Sequence, residues 1–307
     1  MKASSDAGRL SRYKPDRSKR KAVLAPSDLR LALVIAHLGA TTIPQLSAMT
    51  MLHPKAVQRT ARRLFDAGIV DVLAVPRAAL APPGGNDPSL AYGSAPNVLS
   101  ATKAGLHMLT GEGLLDEPLP IPEFGTTSSL ALRHRLMIGD CRVWMTRSVR
   151  RHGAYIQAWK EGKAAEVVLS TNPTRTLRPD AVAALRLAQD KVLVCLVEAD
   201  RGTERGLTRW LEKLAAYGEA FDRGHIAEAT GYRNARITVF TQTPIRRDRL
   251  CGVVAEHAPK GIKDRIWIVD LPSLSGCDFA AAAWIRPPSP SPLPLLPDSV
   301  LGRTVMV

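Results

Sequence analysis

The sequence predicts a two-domain α/β protein: a small helical unit with a short hairpin, then a larger α/β sandwich built on a mixed sheet. Three observations lead there. The chain has 307 residues, too many for one domain of the commonest size, about 100–150 residues. A Pro-containing stretch at 111–128, GEGLLDEPLPIPEFGTTS, separates helix-rich sequence from sequence in which helix and strand signals alternate. In the second part, VLVCLV at 192–197 is apolar throughout, as a strand buried on both faces should be.

Residues 1–26 are polar and basic, with little to bury, and read as a disordered arm adding phosphate contacts or solubility. Residues 27–110 read as a compact unit. Ser27 is the expected cap of a helix bearing Leu29, Leu33, Ile35 and Ala36, and Thr41 or Thr42 caps a short second helix. The third helix, HPKAVQRTARRLFDAG, puts Val57, Ala61, Leu64 and Phe65 on one face. Lys55, Arg59 and Arg62 share the opposite face, with Gln58 and Arg63 beside them. A strand IVDVLAV, a Pro/Gly-rich stretch opening at Arg77, a strand NVLS and a helix capped near Thr102 complete the unit. Helix, short helix, basic helix and two-stranded wing make a winged helix-turn-helix pattern. Its basic face suits the major groove, and its wing suits the neighbouring backbone. A winged helix used for protein contact is the alternative.

Residues 129–286 open with a long helix carrying Leu130, His134, Met137, Ile138, Cys141, Trp144 and Met145 on its apolar face. Strands are expected at AYIQAWK, AEVVLS, LRPDAVAAL and VLVCLV, then a helix from Thr203 burying Leu207, Trp210, Leu211, Leu214 and Phe221. ARITVFT, a helix RRDRLCGVVAEHA and RIWIVDL follow, which completes an α/β sandwich with a mixed sheet. The tail, 287–307, is Pro-rich and reads as an extended segment or an unstructured end.

Composition narrows the function. Lys and Arg exceed Asp and Glu by 42 − 28 = 14, which favours a polyanionic partner through counterion release. Residues 1–110 hold 15 basic and 6 acidic residues, net +9 in about a third of the chain. No transmembrane run or signal-peptide h-region is visible, and the four cysteines are scattered singly, so a cytoplasmic protein with no membrane partner is expected. Phosphate-loop, HExxH and GxSxG motifs are absent, and GGN at 84–86 does not lie between a strand and a helix.

The run RPDA followed by VEAD brings Asp180, Glu198 and Asp200 to adjacent strand ends. Acids there are often mere caps or surface charges. The order nevertheless resembles the PD-(D/E)xK, or restriction-endonuclease-like, fold, which would make this an N-terminal winged helix-turn-helix followed by a restriction-endonuclease-like α/β sandwich. That resemblance implies Mg²⁺ or Mn²⁺ on Asp180, Glu198 and Asp200, activating water for phosphodiester attack. Asp200 departs from the pattern, because a lysine is usual there. The displaced lysine seen on the next helix in some members would be Lys213.

A wider likeness covers nearly the whole chain. The winged helix, HRL…D at 134–140, RPDA, VEADRGTE, a helix with Lys213, Leu214 and Tyr217, then VFT, IWIVDL and a late Trp resemble the replication-relaxation family. That resemblance implies a plasmid or mobile-element protein acting in replication, DNA relaxation or mobilisation. No pair of closely spaced histidines suggests a rolling-circle relaxase, so a separate relaxase or replication protein is an expected partner. Double-stranded DNA gripped by Lys55, Gln58, Arg59, Arg62, Arg63 and Arg77 is the first expectation, with a homodimer on a palindromic site. The alternatives are a metal-dependent nuclease or nickase, with Asp180, Glu198, Asp200 and Lys213 as its catalytic set, and a pure protein adaptor.

Overall fold

The structure, a computed structural model, describes residues 14–16, 23–73, 97–117, 119, 129–187, 191–202 and 208–296. It is mixed α/β and divides into two compact units, 1–139 and 140–307. The division falls inside a helix rather than in the 111–128 stretch, for reasons visible in the packing of that helix.

The first unit is built from α1 (Pro26–Leu38), β1 (Ala40–Thr42), α2 (Ile43–Thr50), α3 (Pro54–Asp66), β2 (Val70–Leu73), β3 (Val98–Ala101), α4 (Lys103–Gly111) and the first half of α5 (Ser129–Arg151). Its sheet has the order β1-β3-β2, antiparallel throughout. The sequence pattern announces two of these strands; β1 has no such signal. Leu31, Ile35, Leu46, Val57, Leu64, Leu99 and Leu109 form the core. The inner face of α1 therefore turns on Leu31 and Ala32, while Leu29 and Leu33 are only half-buried.

Caps explain the boundaries. Thr42 starts α2 by accepting from the Gln45 amide, and Thr102 starts α4 by accepting from the Gly105 amide at 3.0 Å. Helix α1 begins at Pro26, before the expected Ser27 cap, and the Asp28 carboxylate accepts the Ala25 amide at 3.1 Å. Gly68, at φ +78°, closes α3. A Cβ on Gly105 would lie 2.1 Å from the Ile69 carbonyl oxygen, so α4 can pack this close only with glycine there.

The first half of α5 belongs to this unit because Leu132 packs on Ala40 and Val98, and Gln45 donates to the Leu136 carbonyl at 2.8 Å. Leu130, expected on the apolar face, is exposed.

The second unit contains β4 (Tyr155–Glu161), β5 (Val167–Thr171), β6 (Thr174–Leu177), β7 (Ala181–Arg186), β8 (Val192–Asp200), α6 (Thr208–Asp222), α7 (His225–Thr230), β9 (Ala235–Thr241), α8 (Pro244–His257), α9 (Lys260–Lys263), β10 (Ile266–Asp270), β11 (Ala282–Ile285) and β12 (Pro292–Pro294). A seven-stranded sheet runs β12-β11-β10-β9-β8-β7-β4. Pairs β8–β9 and β9–β10 are parallel, and the others are antiparallel.

Strand β8 lies inside the sheet, between β9 and β7, and its residues alternate between two covered faces. Val194 and Leu196 enter a core with Trp210, Leu214 and Tyr217 of α6 and Leu250 and Val254 of α8. On the other face, Trp144 of α5 meets Phe240, Phe279 and Trp284 at centroid distances of 5.9, 5.1 and 5.6 Å.

Three sequence expectations change here. LRPDAVAAL is not one strand: β6 stops at Leu177, β7 starts at Ala181, and Arg178–Asp180 turns between them. Strands β5 and β6 form a separate hairpin. The Pro-rich tail contributes β12 at the sheet edge, where a proline without N–H is tolerated, and buries Leu295 and Leu296. Of the helix expected from Thr203, residues 203–207 lie outside the described residues. Among the described residues, no helix is long and apolar enough to cross a membrane.

Candidate functional site

Each unit carries one candidate. In the first, α3 buries Val57, Ala61, Leu64 and Phe65 and exposes Lys55, Gln58, Arg59 and Arg63, with Arg62 half-buried. With His53 and Ala56, these side chains line an open groove along the helix. His53 caps α3 by accepting the Lys55 amide at 3.2 Å.

The cationic side chains on this face are not equivalent. Arg62 pairs with Asp66, at 3.1 Å through Nε and 2.9 Å through a terminal nitrogen. Arg63 pairs with the buried Asp28 at the start of α1. Lys55, Gln58 and Arg59 make no side-chain hydrogen bond or ion pair with the described residues. Two of the four positive charges are thus matched by buried aspartates, whereas Lys55 and Arg59 have no such match among the described residues. Arg77 lies outside the described residues.

In the second unit, strand β8 carries Glu198 and Asp200 on the face covered by α6 and α8. Asp180 precedes β7; its amide donates to the Val197 carbonyl at 3.0 Å, and its Oδ2 accepts the Ala199 amide at 2.7 Å. The ladder therefore carries Asp180 to the flank of Glu198. Glu198 is 1% exposed. Its Oε2 accepts the Lys213 ammonium, and its Oε1 accepts the Tyr217 hydroxyl at 2.5 Å. Lys213 and Tyr217 are four residues apart on α6, so one helix face supplies both donors. The Lys213 ammonium also lies 5.9 Å from the Trp210 ring centroid.

Burial pushes the Glu198 carboxyl up to about 7; Lys213 opposes that rise and Asp180 adds to it. Burial and the neighbouring Glu198 raise the Tyr217 hydroxyl well above its ordinary value.

Asp200 has other partners. Arg246 grips it with two nitrogens at 3.0 and 2.8 Å, Trp210 Nε1 donates at 2.5 Å, and the Gly202 amide donates at 2.6 Å. Arg246 is delivered by the first turn of α8, where Thr243 caps the Arg246 amide at 3.2 Å. Asp200 is therefore tied into an ion pair between β8 and α8 rather than joined to Asp180 and Glu198. Among the described residues, no group of three His, Cys, Asp or Glu side chains is placed to hold a metal.

The expected three-acid cluster thus reduces to Asp180 beside Glu198, with Lys213 on Glu198. Sequence reasoning missed the roles of Tyr217 and Arg246. The four-residue spacing from Lys213 is a signal for Tyr217, whereas nothing local marks Arg246.

Fold and site define a mixed α/β protein with an exposed cationic helix in one unit and a buried carboxylate–lysine–tyrosine cluster in the other. Residues 31–234 match the family described as replication-relaxation. The match spans about two thirds of the chain, and the protein belongs to the replication-relaxation family. No curated protein matches the chain. No solved structure matches it either.

Proposed function

We propose that the protein binds duplex DNA and acts in the replication, relaxation or mobilisation of a plasmid or other mobile element. In this reading the first unit is a winged helix-turn-helix: α2 and α3 are the helix-turn-helix pair, β2 and β3 the wing, and α3 the helix that enters the major groove. The observation that carries it is the division of labour on α3. Val57, Ala61 and Leu64 anchor the helix, while Lys55, Gln58 and Arg59 face solvent without a protein partner among the described residues. Family membership supports the setting. A separate relaxase or replication protein would perform the nicking, in the cytoplasm at the plasmid. A palindromic target would be bound by a homodimer.

The test is a mobility-shift titration across salt concentrations. Replacing Lys55 and Arg59 by Ala should lower affinity and reduce the salt slope by about 0.9 for each phosphate the variant no longer neutralises. Wild-type affinity and slope in the double variant would sink the proposal.

A second reading is a metal-dependent nuclease on a restriction-endonuclease-like second unit, and the contact between Lys213 and Glu198 favours it. Asp180 and Glu198 are hard oxygen ligands suited to Mg²⁺ or Mn²⁺. Both Glu198 oxygens are engaged, by Lys213 and Tyr217, so an ion there would have to displace one of these donors. Asp200 is engaged likewise and is held by Arg246 in a separate ion pair. A bound ion would supply an activated water. Lys213 is the cation that would offset charge on the scissile phosphate. Nicking of supercoiled plasmid with Mg²⁺ or Mn²⁺, abolished in Asp180→Asn, is the result this reading requires. Equal nicking by that variant excludes it.

A further inference from the structure

Asp66 is the last residue of α3. A carboxylate there opposes the helix dipole, and this one is only 3% exposed. Both its oxygens are used. Oδ2 accepts Arg62 Nε at 3.1 Å, while Oδ1 accepts a terminal nitrogen of Arg62 at 2.9 Å and the backbone amide of Asp16 at 2.8 Å. Arg62 in turn donates to the Lys14 carbonyl at 3.0 Å. A backbone donor and a backbone acceptor two residues apart are thus clasped by one ion pair on α3.

Pro15 lies between them. It fixes its own φ and biases Lys14 to extended backbone, so the segment loses little freedom on docking. Lys14 itself is exposed.

We infer that the Arg62–Asp66 pair is a clasp that adds Lys14 to the DNA surface of α3, where its ammonium contacts a backbone phosphate. This rests on the DNA-binding reading of α3. It gives Arg62 a positioning role in place of direct DNA contact. Charge complementarity identifies the ligand: Lys14 lies in a run with Arg12, Arg17, Lys19, Arg20 and Lys21, and the chain carries net +14. The clasp holds the backbone of Lys14 and Asp16 beside the cationic helix.

The experiment uses the full chain and duplex DNA, with salt-dependent mobility shifts. Asp16→Pro removes the amide that Asp66 accepts, and Asp16→Ala is its reference because both lack the carboxylate. Lys14→Ala removes the charge. Asp16→Pro should bind about three- to tenfold more weakly than Asp16→Ala at moderate salt, with a slope lower by about 0.9, equivalent to one phosphate. Lys14→Ala should weaken binding by the same amount, and adding it to Asp16→Pro should cost nothing more, since both remove one interaction.

Equal slopes for Asp16→Pro and Asp16→Ala overturn the clasp while leaving the reading of α3 intact. A weakened Lys14→Ala with an unaffected Asp16→Pro does the same. Failure of the wild type to bind duplex removes the reading of α3 and this inference with it. Matching thermal melts for the Asp16 pair exclude misfolding as the cause.

Discussion

Lys213 and Glu198 meet in a nearly dry site: the ammonium donates to a carboxylate that is 2% exposed, while the lysine side chain is 17% exposed. Removing only the cation strands a buried charge, typically at a cost of about 3–5 kcal/mol. Lys213→Met should therefore destabilise the protein strongly in urea unfolding at pH 8. Adding Glu198→Gln should recover part of the loss, because the amide carries no charge. Equal stability of Lys213→Met and wild type at that pH would show the pair to be broken in solution.

The same carboxyl predicts a pH dependence. Glu198 has a folded value of about 7, raised above the ordinary 4.5. Between these values the unfolded chain releases the proton and the folded chain keeps it. The unfolded state then binds fewer protons, and stability falls as pH rises. The Glu198 contribution is thus fully present below about pH 4.5 and disappears as pH passes through about 7. Unfolding measured from pH 4.5 to pH 8 should show a downward component that Glu198→Gln removes. An unchanged profile in that variant would remove Glu198 as its source.

Asp200 behaves differently because its charge is gripped from three sides. Asp200→Ala leaves Arg246, whose side chain is 11% exposed, without its anion. Replacing either partner should cost about 3–5 kcal/mol, and the double variant should cost less than the sum of the two. Isothermal titration with Mn²⁺ separates this role from metal binding: Asp200→Asn should leave any ion affinity unchanged, whereas Asp180→Asn should lower it. Loss of affinity in Asp200→Asn alone would contradict the assignment.

How much of this is legible in the sequence depends on how local each cause is. Val57, Ala61 and Leu64 follow the 3.6-residue period, and Thr42 and Thr102 cap the helices that start beside them; both signals lie within one element. The apolar run of β8 announces a strand covered on both faces. Strand β1 has only three residues, and pairing with β3 rather than its own pattern makes it a strand. Pro292–Pro294 carries breaker residues and is a strand only because it lies at an edge. At the site, Asp180 and Glu198 are visible as strand-end acids. The fate of Asp200 is not, since Arg246 arrives from another helix 46 residues away.

On α3, two neighbouring arginine positions should separate binding from stability. Arg59 has no ion pair among the described residues, and its replacement by Ala removes a cation from an exposed helix position. Stability should change by no more than about 0.5 kcal/mol, while DNA affinity and salt slope fall. Arg63 is half-exposed but pairs with Asp28, whose side chain is 3% exposed and also caps α1 through the Ala25 amide. Arg63→Ala leaves that buried carboxylate without its cation and should cost more than about 1 kcal/mol of stability, with a correspondingly lower melting temperature. Melting curves and salt-dependent mobility shifts on both variants give the comparison. If Arg59→Ala melts as early as Arg63→Ala, the two arginines are energetically equivalent and the assigned division between them fails.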